Sequence, residues 1–204
     1  KNFEVGRTSP LPEILNEVKA YDNFSIYLPI IMNQIVEVDF NDGCRWQYNS
    51  GQTFIIEYKW INELAANPYH PWRSAFESGL GAWNVAPTHF LFLYASDAVN
   101  TIEVVNKPGN GSAGKTIFTY YPPNIYCDHF EMWANLAYDD YSFQEMRQTI
   151  AAHEVGHGHG IGHIPRNIYN QLALMWNDGF SDSELVSILV PQMIDIDFVN
   201  QFYP

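Results

Sequence analysis

The chain has 204 residues, 47% of them apolar and 16% aromatic, with a formal net charge of −13. That length suffices for one domain with a full core, and the apolar content excludes an intrinsically disordered chain. Ten Lys and Arg against 23 Asp and Glu argue against a nucleic-acid groove, and no apolar run is long enough to span a bilayer.

Residues 1–50 read as an irregular N-terminal extension broken by Pro10, Pro12 and Pro29, with a short helix over Glu13 to Ala20. Thr53 to Ile61 is rich in β-branched and aromatic residues and predicts a strand. Pro71 suits the first turn of a helix, which is expected to run to Trp83. Phe90 to Tyr94 and Thr101 to Val105 are strand-like. Lys115 to Tyr121 is a further strand, with Gly109, Gly111 and Gly114 before it and Pro122-Pro123 after it. Ser142 and Glu145 have capping-box spacing. Phe143, Met146, Ile150 and Ala151 then recur at intervals of three and four, so a helix is predicted from Ser142 to Gly158. An irregular segment leads through Met175, and helical material is expected from Ser181, where Ser181 and Glu184 repeat the capping-box spacing.

The chemistry sits at the end of the 142–158 helix. Residues His153 to His163 contain H-E-x-x-H-x-x-G-x-x-H. Positions i and i+4 share a helix face, so His153 and His157 can reach one metal ion together. Glu154 points to the side, where it can hold a water bound to that metal. Gly160 can take a positive φ without steric cost and let the chain leave the helix sharply. His163 then returns as a third ligand. Three protein ligands leave a fourth position for water or substrate, the mark of a catalytic zinc. The plain alternative is a Gly/His-rich surface loop. His159 lies off the motif spacing and reads as a solvent-facing or supporting residue.

These residues resemble the metzincin clan of zinc endopeptidases. Ala173-Leu174-Met175-Trp176 resembles the methionine turn of that clan, in wording closest to the matrixins (the matrix-metalloproteinase family). The stretch from Asp195 to Tyr203 resembles the closing matrixin helix, and Ala75 to Asn84 resembles the first helix of that fold. There are departures. Ile164 stands where matrixins usually have serine, the gap from His163 to Met175 is longer, and Asn177 stands where astacins and serralysins place a metal-binding tyrosine. No cysteine-switch motif is present; Asp42-Gly43-Cys44-Arg45 is a poor match.

The resemblance implies an α+β domain over residues 1–204. Residues 51–158 would form an upper lobe with a mixed sheet and helices, residues 159–204 a small irregular and helical lower lobe, and the cleft would lie between them. It implies one zinc held by His153, His157 and His163, Glu154 as general base, Gly160 at the chain reversal and Met175 packed beneath the histidines. The strand at 115–121 would pair with an extended protein or peptide substrate. Selectivity would lie in residues 176–191, with Leu185, Ile188 and Leu189 as apolar lining or as anchors of a helix to the core. The expected activity is peptide-bond hydrolysis; the alternatives are a catalytically silent zinc-binding protein and a zinc hydrolase of a non-peptide amide.

A monomer is expected, secreted after removal of a signal peptide, since Lys1-Asn2-Phe3-Glu4 has no such character. In a secreted protein, Cys44 and Cys127 suggest one disulfide; two buried thiols, or Cys44 as a zinc-blocking thiolate, are the other readings. The acidic balance reads as a solvated surface, or as selection for basic substrates. A bound Ca2+ ion would be sought at Asp139-Asp140 or in the Asn106 to Gly111 loop, although neither has the oxygen-ligand spacing of a known calcium loop.

Overall fold

The structure is a computed structural model and describes residues 26–29, 35–38, 44–109, 111–120, 126–141, 144–164, 173–176 and 188–204. The predicted helix at 13–20, Ser142 and Phe143, and the Ser181/Glu184 pair lie outside the described residues.

Strands β1 (Ile26–Pro29) and β2 (Ile35–Val38) pair antiparallel, Ile26 opposite Val38 and Pro29 opposite Ile35. Over 26–29 and 35–38 the chain is therefore extended and paired rather than irregular. Ile35, Val36 and Val38 favour extended backbone, and Pro29 closes its strand in a two-stranded ribbon, where its missing donor is tolerated. Residues 44–46 also depart from the expected irregular extension. Arg45 bridges Tyr126, Cys44 is bonded to Cys127, and the Trp46 indole packs against Phe54, Phe118 and Phe130. A tryptophan that gains this much apolar contact draws its segment into the core.

The main sheet contains β3 (Phe54–Trp60), β4 (Phe90–Tyr94), β5 (Asn100–Val105), β6 (Gly114–Tyr120) and β7 (Cys127–Asn135) in the order β4-β3-β5-β7-β6. The first three neighbouring pairs are parallel; β6 and β7 are antiparallel, with Thr116 opposite Met132. The sheet is therefore mixed, with β6 at one edge. Strand β7 was not predicted. Its inward residues Phe130, Met132 and Ala134 alternate, but Trp133 between them is buried too, which blurs the period of two. The short helix α1 (Asn62–Ala66) was likewise not predicted.

Helix α2 (Pro71–Val85) begins as expected at its proline, and the His70 Nδ1 accepts a hydrogen bond from the Trp72 amide at 3.2 Å. Its buried residues Trp72, Ala75, Phe76, Gly79, Leu80 and Trp83 keep the helical period. A 3-10 turn, Leu136–Tyr141, leads from β7 toward helix α3 (Gln144–His157). The two helices pack closely at Gly79, where a Cβ would lie 2.9 Å from the Cα of Ala152. The Trp83 indole donates to the Ala152 carbonyl at 2.8 Å. Inward residues of β3, namely Ile56, Tyr58 and Trp60, join both helices in one core, while Ile55 and Glu57 face outward.

Helix α4 (Met193–Phe202) closes the chain. The expectation of helix from Ser181 onward needs correction over residues 188–192, which are not helical. The capping box belongs to Gln192 and Asp195. No helix among the described residues is long and apolar enough to cross a membrane.

Candidate metal centre

Helix α3 delivers His153 and His157 from its last turns and ends at His157. Gly160 then adopts φ +80°, as the sequence reading expects for the chain reversal. A side chain there would also collide, since a Cβ would sit 2.3 Å from the carbonyl oxygen of Cys44. The reversal brings His163 back. Its Nε2 lies 3.2 Å from Nε2 of His153 and 3.2 Å from Nε2 of His157. Among the described residues, these three form the one group of three or more His, Cys, Asp or Glu side chains placed to share an ion, with ligand atoms within 4.8 Å of one another.

The spacing and the tautomers of the histidines both fit zinc. Tetrahedral zinc with bonds of about 2.0–2.1 Å separates its nitrogens by about 3.3 Å, and the two separations of 3.2 Å lie close to that value. His153 Nδ1 donates to the Leu174 carbonyl at 2.7 Å, and His157 Nδ1 donates to the Ile161 carbonyl at 2.9 Å. A carbonyl can only accept, so both hydrogens sit on Nδ1 and both Nε2 lone pairs face the common centre. Burial, then the neighbouring histidines, holds His153 well below its ordinary pKa. Burial, with His163 next in weight, takes His157 down to about 3. Both rings are neutral at pH 7, the form that binds metal.

Glu154 is buried and hydrogen-bonded across to β6. Thr116 Oγ1 lies 3.0 Å from its Oε2 and 2.9 Å from its main-chain oxygen. Desolvation pushes the Glu154 pKa up to about 8, against the lowering effects of Thr116 and Lys115. A carboxyl poised near neutral pH suits proton transfer in both directions.

Met175 is fully buried, and its backbone turn is fastened from α4. The Asp195 carboxylate accepts hydrogen bonds from the amides of Leu174 (3.0 Å), Met175 (3.0 Å) and Gln192 (2.7 Å). Burial raises the Asp195 pKa to about 6, opposed by these three donors. The Ile164 amide donates to the Met175 carbonyl at 2.6 Å. Asp195 thus holds the turn whose Leu174 carbonyl orients His153. The sequence signalled Asp195 only as an early aspartate in a closing helix.

The reversal after α3 is pinned by two distant segments, one ahead of β3 and one at the end of α4. Trp46 Nε1 donates to the Gly158 carbonyl at 2.9 Å, and Tyr203 Oη donates to the His159 carbonyl at 2.7 Å. These carbonyls belong to the helix end, where intrahelical donors run out. His159 is not solvent-facing. It is buried among Trp83, Phe90 and Phe92, outside the histidine group, with Nδ1 donating to the Gly156 carbonyl at 3.0 Å. Packing explains the correction: its ring fills an aromatic pocket between α2 and the sheet.

Asp139, one of the two acidic positions of interest, accepts from Arg147 Nε at 2.6 Å and from Trp72 Nε1 at 3.1 Å. Asn110, residues 177–187 and the position of Asn177 lie outside the described residues, Leu185 among them. Ile188 belongs to the core cluster and Leu189 is partly exposed.

No protein-family model matches the chain, and no curated protein is significantly similar to it. Among solved structures it is similar to high choriolytic enzyme 1, a hatching enzyme zinc-protease from Oryzias latipes (Medaka fish). The identity is 15% and the TM-score 0.47, over 78% of this chain and 94% of that chain.

Proposed function

We propose that this protein is a zinc-dependent endopeptidase of the metzincin type, hydrolysing peptide bonds in proteins. The observation that carries the reading is the convergence of three imidazoles beside a buried glutamate, two of the three, His153 and His157, each fixed by a carbonyl behind it. A bound zinc would supply Lewis acidity, lowering the pKa of a coordinated water and polarising a carbonyl.

The chain's own residues do the rest. Glu154 accepts a proton from the attacking water and passes it to the leaving amine. Leu174 and Ile161 hold His153 and His157 in register through their carbonyls. Met175 packs beneath, with no proton chemistry of its own. Gly160 permits the reversal that returns His163. Strand β6, at the sheet edge, offers backbone donors and acceptors to an extended substrate. The substrate would lie in a cleft between residues 51–158 and 159–204, with selectivity set in part by residues 176–191. The Cys44–Cys127 disulfide supports an oxidising, extracellular location. The protein would act as a monomer.

Incubation with casein or gelatin tests this reading. Zinc-loaded protein should cleave, a chelator should stop cleavage, and added zinc should restore it. Cleavage that persists without metal would remove the zinc assignment.

A further inference from the structure

Strand β6 does more than form the edge of the sheet. Its residues 114 and 116 project to one face, by the period of two in a strand, and both meet Glu154. At Gly114 a Cβ would lie 2.8 Å from Glu154 Cγ, 2.9 Å from its Oε1 and 2.9 Å from Ile150 Cγ2. No side chain fits there while the carboxyl stays in place. Two residues on, the Thr116 hydroxyl reaches Oε2 of the same carboxyl and the Glu154 main-chain oxygen. One carboxyl oxygen therefore lies in the space left by a missing side chain, and the other is tied by a hydroxyl.

We propose that Gly114 and Thr116 are the positioning residues for Glu154, together holding its carboxyl in the orientation that proton transfer needs. This deepens the endopeptidase reading and rests on it for the catalytic consequence.

The hydroxyl is chosen by chemistry rather than by size. Thr116 has one hydrogen and two acceptors within reach, so it donates to one at a time. When Glu154 is a carboxylate, Thr116 donates to Oε2. While Glu154 carries the proton taken from water on its other oxygen, facing the reacting groups, Thr116 goes on donating to Oε2, then the carbonyl oxygen of the acid. The carboxyl keeps a partner on both sides of the transfer. Valine has the same shape and cannot donate; serine can. At Gly114 the atoms that an added methyl would meet are side-chain atoms, chiefly those of Glu154. The fold accommodates alanine by moving the carboxyl, so the loss falls on catalysis.

The experiment compares wild type, Thr116→Val, Thr116→Ser and Gly114→Ala for zinc content, for kcat and KM on one peptide, and for the infrared carboxyl band assigned to Glu154 by subtraction of Glu154→Gln. Misplacing a reacting group by about 1 Å can cost about 100-fold. Thr116→Val and Gly114→Ala should therefore lose about 10- to 100-fold in kcat with KM nearly unchanged and zinc retained. Thr116→Ser should stay within about threefold of wild type, because its hydroxyl keeps the donor role. The Glu154 band should shift in Thr116→Val and return in Thr116→Ser. An unshifted band and unchanged kcat in Thr116→Val would overturn the proposal, as would a Thr116→Ser variant no better than valine. Should Thr116→Val fail to fold, the serine and Gly114→Ala arms decide. A wild type that cleaves nothing would remove the endopeptidase reading, while the band shift would still judge the positioning role.

Discussion

Met175 lies directly beneath Gly156: a Cβ at position 156 would stand 2.2 Å from the Met175 sulfur and 2.9 Å from the Trp83 ring. The glycine inside H-E-x-x-H is thus a packing requirement, set by a methionine 19 positions later in the chain. Gly156→Ala should destabilise the protein by about 1–3 kcal/mol, the usual cost of overpacking, despite alanine's better helix propensity. Urea unfolding of the two proteins measures it, and an alanine variant as stable as wild type would mean that the two elements are not in contact.

Asp195 accepts three backbone hydrogen bonds in a buried setting. Asp195→Ala leaves those amides without their acceptor, and each buried unpaired donor costs about 1–3 kcal/mol. The variant should lose at least about 3 kcal/mol and bind zinc more weakly, because the Leu174 carbonyl that orients His153 shifts with the turn. Zinc titration alongside denaturant unfolding would show both effects. Weakened stability with unaltered zinc affinity would detach Asp195 from the metal centre.

Zinc binding should release a proton from Glu154. In the metal-free protein its pKa stands at about 8 through burial, so the group is mostly protonated at pH 7. A divalent ion nearby favours the carboxylate. His153 and His157 are already neutral, their pKa values being lowered, and release nothing. Calorimetry in buffers of different ionisation enthalpy should find about one more proton released at pH 7 by wild type than by Glu154→Gln. The difference should vanish by pH 9, above the Glu154 pKa. The stability of the metal-free fold has a related sign: with the folded pKa raised above the ordinary carboxyl value of 4.5, the contribution of Glu154 is fully present below about pH 4.5 and lost as pH rises through 8. Equal proton release by both proteins at pH 7 would show that Glu154 is ionised before metal arrives.

The Cys44–Cys127 bond closes a span of 83 residues, worth about 4–5 kcal/mol in the chain-entropy model. It also holds the segment whose Cys44 carbonyl abuts Gly160 and whose Trp46 indole caps Gly158. The denatured, unreduced chain should contain no free thiol. A Cys44→Ala/Cys127→Ala variant should unfold at lower denaturant and hold zinc less tightly. Two titratable thiols in the unreduced chain would refute the bond.

What was legible in the sequence was local. The 153–163 motif packs three histidines, a glutamate and the turning glycine into eleven residues, so their convergence follows from local spacing. Strands β3, β4, β5 and β6 announced themselves by β-branched and aromatic runs. The supports of the site are distant instead. Thr116 and Glu154 are 38 positions apart, Trp46 and Gly158 112 apart, and Tyr203 and His159 44 apart. No periodicity or propensity links such pairs; only packing does. His159 illustrates the limit from the other side, since a histidine among glycines looks exposed until three aromatic rings close over it.

The most direct measurement of the central claim is peptide cleavage by wild type and Glu154→Gln, each with its zinc content determined on the same sample. Wild type with about one zinc per chain, as a three-histidine site requires, should cleave. Glu154→Gln should hold the same zinc and lose about 10²- to 10⁴-fold or more in rate, the contribution of a general base. A zinc-replete Glu154→Gln variant that cleaves at the wild-type rate would contradict the assignment of Glu154.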